Sequence, residues 1–188
     1  MEANIENNQN EPQGGVTLFK NALVYGLLTG GAYILASLLF YSLDVDPGSK
    51  VQYLTFLILI AGIIMGIKQF RDKHSGGFLS YGRCLGTGVV ISVVVGIIMA
   101  IYVYLFFSYF DPGQLEKMAE MAEQRLVDQG LTDEQIDQAM VMTRKFMNPV
   151  FSAIMSVFSM AFWGTIISLI VSIFLKKNDE SFDGAFNQ

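Results

Sequence analysis

Charge is scarce in this chain of 188 residues, of which 15% are charged and 52% are hydrophobic. Because a soluble domain usually has about a quarter of its residues charged, this composition excludes an ordinary soluble protein. The net charge of −5 also excludes nucleic acid as an expected partner, since nucleic-acid binding relies on basic surfaces. The few charged residues lie in the tails and loops and leave long uncharged runs between them.

Cysteine and histidine each occur only once. The single cysteine, Cys84, excludes an intramolecular disulfide, and a lone thiol at the end of an apolar run is expected to be buried. The histidine, His74, lies in a basic segment that we expect to be a solvated loop. Motifs of zinc proteases, serine hydrolases and intramembrane aspartate pairs are missing. The sequence therefore predicts no catalytic, metal or cofactor site, and we expect that the protein is not an enzyme.

Long apolar runs are what the sequence has in abundance. The longest, 84–107, would form a helix of roughly 36 Å at about 1.5 Å per residue, enough to cross a hydrocarbon core of about 30 Å. In lipid, such a segment must satisfy its backbone groups internally, as a helix does. The runs predict an all-α membrane protein with four transmembrane helices at 21–43, 51–67, 84–107 and 150–175. None contains Asp, Glu, Lys, Arg or His, which argues against an ion or proton pathway through one protomer.

Each predicted span has one face of small residues, which allows close helix packing where lipid supplies no hydrophobic drive. In the first span this face also has the hydroxyl-bearing residues Tyr33, Ser37 and Tyr41. The candidates for helix packing are the glycines Gly26, Gly30, Gly62, Gly66, Gly82, Gly86 and Gly96. The same faces are also compatible with a neighbouring subunit, so a homo-oligomer is one interpretation.

The fourth span has a stripe of neutral polar residues, namely Ser152, Ser156, Ser159 and Trp163. Trp163 lies near the middle of the span, and its indole N–H needs a partner there, so the side chain is expected to point inward. The stripe is either part of the bundle core or the wall of a small apolar pocket for a lipid or another hydrophobic molecule.

The extramembrane segments define the domain organisation and the orientation. Residues 1–17 and 178–188 are predicted to be disordered tails around a membrane domain at 18–177. The side with both termini has seven Lys and Arg residues near the membrane, and the other side has five, most of them in one long loop. This distribution predicts that both termini are cytoplasmic.

The long loop 111–149 is the only sizeable extramembrane element that the sequence predicts. It has eight acidic and four basic residues. Apolar residues recur at helical spacing in both halves, first at Leu115, Met118, Ala122 and Leu126, then at Ile136, Ala139, Met140, Thr143 and Phe146. Gly130 is placed to end one helix, and Thr132 with Gln135 forms a capping box for the next. The loop is thus predicted to be an amphipathic helical hairpin outside the cytoplasm.

Two passages of the chain are similar to each other. The first span ends in FYSLDVDPG and the third in FFSYFDPG, and a pair of glycines precedes each span. This internal similarity is explained either by two helix pairs in tandem or by chance similarity between glycine-rich segments. The GGFLSYGRCLGTG run, the turn at Asp111-Pro112 and the long helical second loop resemble the bacterial integral membrane family catalogued as domain of unknown function 4199. That resemblance covers roughly 17–177 and implies a four-span protein of the bacterial inner membrane with no assigned activity.

Two functions remain as hypotheses. The first is a structural or accessory protein of the bilayer whose acidic hairpin, 111–149, contacts a membrane or periplasmic protein. The alternative is an oligomeric carrier or channel for a neutral or lipophilic small molecule.

Overall fold

The computed structural model describes residues 13–45 and 53–177. Within these ranges the chain forms six α-helices, and a π-helical turn, Phe106–Phe110, follows the third. The α-helices are α1 (Gln13–Ser42), α2 (Tyr53–His74), α3 (Tyr81–Leu105), α4 (Gln114–Asp128), α5 (Asp133–Phe146) and α6 (Pro149–Leu175).

Four of these helices, α1, α2, α3 and α6, are long and apolar enough to cross a membrane. Each coincides with one of the four predicted spans, so the predicted all-helical fold is confirmed and the chain is a multi-pass membrane protein. The end of the bundle that adjoins α4 and α5 is called the hairpin end below, and the other is called the opposite end.

Helix α1 begins before its predicted start. It starts at Gln13, so residues 13–17 are helical and do not belong to a disordered tail. The remainder of that prediction, 1–12, and the second predicted tail, 178–188, lie outside the described residues. The backbone of residues 13–17 continues into the rest of α1 without a break.

Helix α2 continues beyond the apolar run and ends at His74. The prediction that the basic segment from Lys68 onward is a solvated loop is therefore wrong, since most of this segment is helical. Lys and Arg are good helix formers, and Arg71 and Lys73 place positive charge in the last turn, where it stabilises the helix dipole. The chain leaves the helix at Gly76, whose φ of +59° is in the left-handed region that favours glycine.

Helix α3 is the central helix and packs against α1, α2 and α6. Its contact with α6 is the most extensive. Three small residues of α3 at intervals of four let the two backbones approach. Gly88 faces Ser168, Ser92 faces Gly164, and Gly96 faces the backbone of Val157, so the two helices are antiparallel.

A buried polar contact connects α1 to α2. The side-chain amide of Asn21 donates a 2.9 Å hydrogen bond to the carbonyl of Gly66, and both residues are buried. About two turns further along α1, the side chain of Thr29 occupies the space above Gly62. Such contacts hold helices together in lipid through hydrogen bonding and close packing.

The opposite end is closed by a short bridge of main-chain hydrogen bonds. The N–H of Leu79 donates to the carbonyl of Lys177 at 2.8 Å, and the N–H of Lys177 donates to the carbonyl of Leu79 at 3.1 Å. The thiol of Cys84 is buried beneath this bridge, 3.9 Å from the Leu79 carbonyl, so its predicted burial is confirmed.

Helices α4 and α5 form the predicted hairpin. Gly130 lies between them with a φ of +77°, and the N–H of Thr132 donates a 3.0 Å hydrogen bond to Gln135 Oε1 as its capping box predicts. Its small core consists of Ala119, Ile136 and Met140. The predicted stripe on α4 is only half-buried, because α4 turns Ala119 toward α5 and other residues toward the bundle.

Candidate functional site

The end of α3 is not a regular α-helix. Phe106–Phe110 forms one π-helical turn, in which the N–H of Asp111 donates a 2.9 Å hydrogen bond to the carbonyl of Phe106. Turns of this kind are rare and occur frequently at functional sites. The turn delivers the carboxylate of Asp111 to the end of α1.

That carboxylate connects three helices. The hydroxyl of Tyr41 on α1 donates a 2.9 Å hydrogen bond to Asp111 Oδ2, and Nζ of Lys117 on α4 lies 3.8 Å from the same oxygen. The side chain of Asp111 is 17% exposed, whereas that of Lys117 is 65% exposed. The ring of Phe106 lies edge-on to that of Tyr41, with centroids 5.1 Å apart.

Two pairs of neutral hydroxyl groups lie deeper in the bundle. The hydroxyls of Ser37 on α1 and Tyr102 on α3 are 3.2 Å apart and share a hydrogen bond. Tyr33 on α1 is hydrogen-bonded to Thr55 on α2. Each pair joins two different helices, so polar groups are placed at two depths along α1 without any charge.

These residues line a cavity of about 1020 Å³ at the hairpin end. The bundle side is formed by α1, α2 and α3, and α4 covers it with Met118 and Met121. Among the described residues, none from α5 lines the cavity, so α5 forms the outer layer of the hairpin. Ligand pockets usually measure about 300–1,000 Å³, and this cavity is at the upper end of that range.

Polarity changes from the depth of the cavity to its rim. Apolar side chains such as Met99 and Val103 lie beside the hydroxyl pairs in the depth of the cavity. Asp44, Lys117 and Glu120 lie at its rim. Such a cavity suits a molecule with an apolar body and one polar end. Across the described ranges, no group of three or more His, Cys, Asp or Glu side chains is arranged to hold a metal ion.

The seven glycines predicted for packing fall into two sets. An added Cβ would meet a neighbouring helix at five of them, namely Gly26, Gly30, Gly62, Gly66 and Gly96. At Gly82 and Gly86 it would meet nothing within 4 Å among the described residues. The prediction that these two glycines pack against another helix of the chain is therefore corrected. Gly88 has the packing role instead. It lies about 200° around the helix from Gly86, which is nearly the opposite face.

The polar stripe predicted on α6 lies away from this cavity. None of its members lines the cavity: Ser152, Ser156, Ser159 and Trp163. The hydroxyl of Ser156 donates to the carbonyl of Ala153 in its own helix at 2.7 Å. The inward orientation expected of Trp163 is also corrected, because this residue is 45% exposed and its ring meets Phe56 edge-on at 5.7 Å.

The aromatic residues of the π-helical turn are divided between the cavity and the exposed surface. Phe106 and Phe107 line the cavity beneath α4, whereas Tyr109 and Phe110 are 75% and 65% exposed. The hairpin therefore spans the cavity and does not pack flat on the bundle. The physical reason is the π-helical turn, which changes the direction in which successive aromatic side chains point.

One wall of the cavity was predicted as a face of the first span, whereas the cavity itself was not predicted. Tyr33, Ser37 and Tyr41 belong to the stripe identified on the first span, and all three line it. Their partners Tyr102 and Asp111 were not identified as site residues. A hydroxyl at every fourth position in an otherwise apolar helix was the available signal, because a hydroxyl in the membrane requires a partner.

The chain matches one family model over residues 24–177, and that model is described as "Protein of unknown function (DUF4199)". Neither a curated protein nor a solved structure matches the chain.

Proposed function

Because the chain belongs to the DUF4199 family of proteins of unknown function, we propose its function from its own geometry: it binds a lipophilic small molecule in the cavity at the hairpin end. The observation that carries this proposal is the cavity of about 1020 Å³ between three spans and α4. A closely packed hairpin would leave no such space.

The hydroxyl pairs support binding over a purely structural role. Polar side chains in a membrane bundle usually serve to join helices, and the pairs of Ser37 with Tyr102 and of Tyr33 with Thr55 do so. They also line open space, where each oxygen can accept a further hydrogen bond. A neutral polar group on the ligand would be recognised there.

The proposal includes an orientation. We place both termini in the cytoplasm of a bacterial cell and the protein in its inner membrane, because the opposite end has the basic residues Lys68, Arg71, Lys73 and Arg83. The cavity then opens on the extracytoplasmic side, where a ligand enters from the outer leaflet or from the periplasm.

The test is a matched pair of substitutions. Ser37→Phe adds a ring in the cavity, whereas Ser159→Phe adds the same ring on an exposed position of α6 that does not line it. Both variants and the wild type are purified from native membranes, and retained small molecules are identified by mass spectrometry.

We expect the wild type and Ser159→Phe to retain the same molecule and Ser37→Phe to lose it. Thermal melting in detergent must first show that Ser37→Phe is folded. Should no variant retain any molecule, or should Ser37→Phe retain it as well as the wild type, the proposed function is wrong.

A second candidate is a structural or accessory function in which the outer face of the hairpin binds another protein. One observation favours it: Val141 and Met142 on α5 are 72% and 60% exposed and lie outside the cavity. Exposed apolar side chains on an extramembrane helix typically mark contact surfaces when they cluster.

This candidate is tested by Val141→Ser combined with Met142→Ser, with the exposed polar Gln138→Ser as the control. A stoichiometric partner that is lost only from the double variant, while the small molecule is retained, would support the accessory function. A partner retained by both would contradict it.

A further inference from the structure

The rim of the cavity has an excess of negative charge. Asp44 and Glu120 line it with two carboxylates and Lys117 lines it with one ammonium, and a third carboxylate, that of Asp111, contacts the lining residues Tyr41 and Lys117. Lys117 lies near Asp111, at 3.8 Å. Within the ranges that the structure describes, neither Asp44 nor Glu120 is in an ion pair. Two carboxylates at the rim are thus available to a cationic group.

Aromatic rings line the cavity next to these carboxylates. Tyr41, Phe106 and Phe107 contribute to the lining below the rim. Aromatic rings attract ammonium groups through their faces, and carboxylates attract them through charge. A ligand whose polar end has a carboxylate or phosphate and no cation would instead be repelled by the uncompensated acidic side chains.

We propose that the ligand of this cavity is an amphiphile with an ammonium group at its polar end. The carboxylates of Asp44 and Glu120 hold the ammonium group at the rim, and the apolar chain lies deeper, toward Met99 and Val103. This inference rests on the proposed function and adds the chemical class of the ligand. The hydroxyl pairs are deeper than the ammonium site and contact the body of the ligand.

Such a ligand can come from two sources. One is a free long-chain amine, and the other is a phospholipid whose headgroup ends in an ammonium group. Both present the same cation to the rim on an apolar chain, so the experiment separates them by the composition of the bilayer.

The experiment measures three probes that share one alkyl chain: dodecylamine, dodecanol and dodecanoate. Binding of each to the full-length protein is titrated at neutral pH in nanodiscs of a galactolipid, whose headgroup is uncharged and has no ammonium group. Empty discs correct for partition into lipid. For the wild type we expect the amine to bind more tightly than the alcohol, on the order of tenfold, and the acid most weakly.

Two variants test which charges are responsible. Asp44→Asn combined with Glu120→Gln removes the two unpaired carboxylates and should bring the amine and the alcohol to similar affinity. Lys117→Gln removes the one ammonium that lines the rim among the described residues and should widen the preference for the amine. Glu134→Gln, an exposed position on α5 outside the cavity, is the control and should change neither affinity.

Each outcome decides between the hypotheses. If dodecanol binds as tightly as dodecylamine, or if the double variant keeps the preference for the amine, the ammonium inference is wrong and the proposed cavity function stands. If none of the three probes binds, both are wrong. Once the preference is established, the titration of dodecylamine is repeated in discs with phosphatidylethanolamine. A weaker affinity there identifies the lipid headgroup as the competing ligand, and an unchanged affinity identifies a free amine.

Discussion

The hydroxyl of Tyr41 donates a 2.9 Å hydrogen bond to Asp111 Oδ2 and thereby joins the end of α1 to the end of α3. A hydrogen bond to an ionised acceptor is stronger than one between neutral groups. The bond also fixes the carboxylate next to Tyr41 and Lys117, which line the cavity, because Asp111 follows the π-helical turn directly. The geometry of the rim therefore depends on a contact between residues far apart in the chain.

Removal of this hydroxyl should loosen the end of α3. Tyr41→Phe keeps the ring that packs on Phe106 but removes the donor to Asp111. We expect the amide of Asp111 and its neighbours to exchange faster with solvent, by hydrogen–deuterium exchange, while the rest of α3 is unchanged. Tyr109→Phe is the control, because Tyr109 is 75% exposed. Equal exchange in both variants would show that the bond does not hold the turn.

The contact between α3 and α6 provides a second prediction. Gly88 faces Ser168, and a side chain at Gly88 would overlap with it, whereas Gly86 faces open space. Gly88→Leu should lower the free energy of unfolding by about 1–3 kcal/mol, the usual cost of overpacking. Gly86→Leu should melt like the wild type in the same detergent. The reverse order of the two melting temperatures would mean that α3 packs through the other face.

The pair Gly86 and Gly88 also shows what sequence can and cannot indicate in a membrane protein. The length and apolar composition of the four spans predicted their existence, because the bilayer sets both. The side chains of α3 are apolar on all faces, however, so no polar stripe marks which glycine meets another helix. In α4 and α5, by contrast, a polar face marks the side that contacts water and therefore also the side that packs. The hairpin was predicted for this reason, together with its turn and its capping box.

The cavity could not be predicted for a related reason. Its walls come from three spans and α4, and the volume depends on how far apart they stand. Tyr33, Ser37 and Tyr41 were identified as one face of the first span. Their partners Tyr102 and Asp111 are identified only when α3 is placed beside α1, and the π-helical turn that orients Asp111 has no signature in the apolar sequence that precedes it.

Buried polar side chains provide a third prediction, because one of them has a hydrogen-bond partner and another has none among the described residues. Asn21 donates to the carbonyl of Gly66, whereas within the described part of the chain the buried hydroxyl of Ser172 has no partner. Asn21→Ala should cost about 1 kcal/mol of stability, typical of polar contacts between membrane helices. Ser172→Ala should be neutral or stabilising, since a buried group without a partner is unfavourable. Melting of both variants in one detergent checks this, and a large loss for Ser172→Ala would reveal a contact that stabilises α6.

The orientation is the last prediction, and it can be tested with thiol labelling because the native cysteine does not interfere. Cys84 is fully buried, so the wild type should react little with a maleimide that cannot cross membranes. Gln129→Cys places a thiol between α4 and α5, and Lys73→Cys places one in the last turn of α2, both at exposed positions. We expect Gln129→Cys to be labelled in intact cells and Lys73→Cys only after the membrane is permeabilised, as the positive charge near the opposite end requires. Labelling of Lys73→Cys in intact cells, with protection of Gln129→Cys, would reverse the topology. The cavity would then open toward the cytoplasm, and its ligand would be sought there.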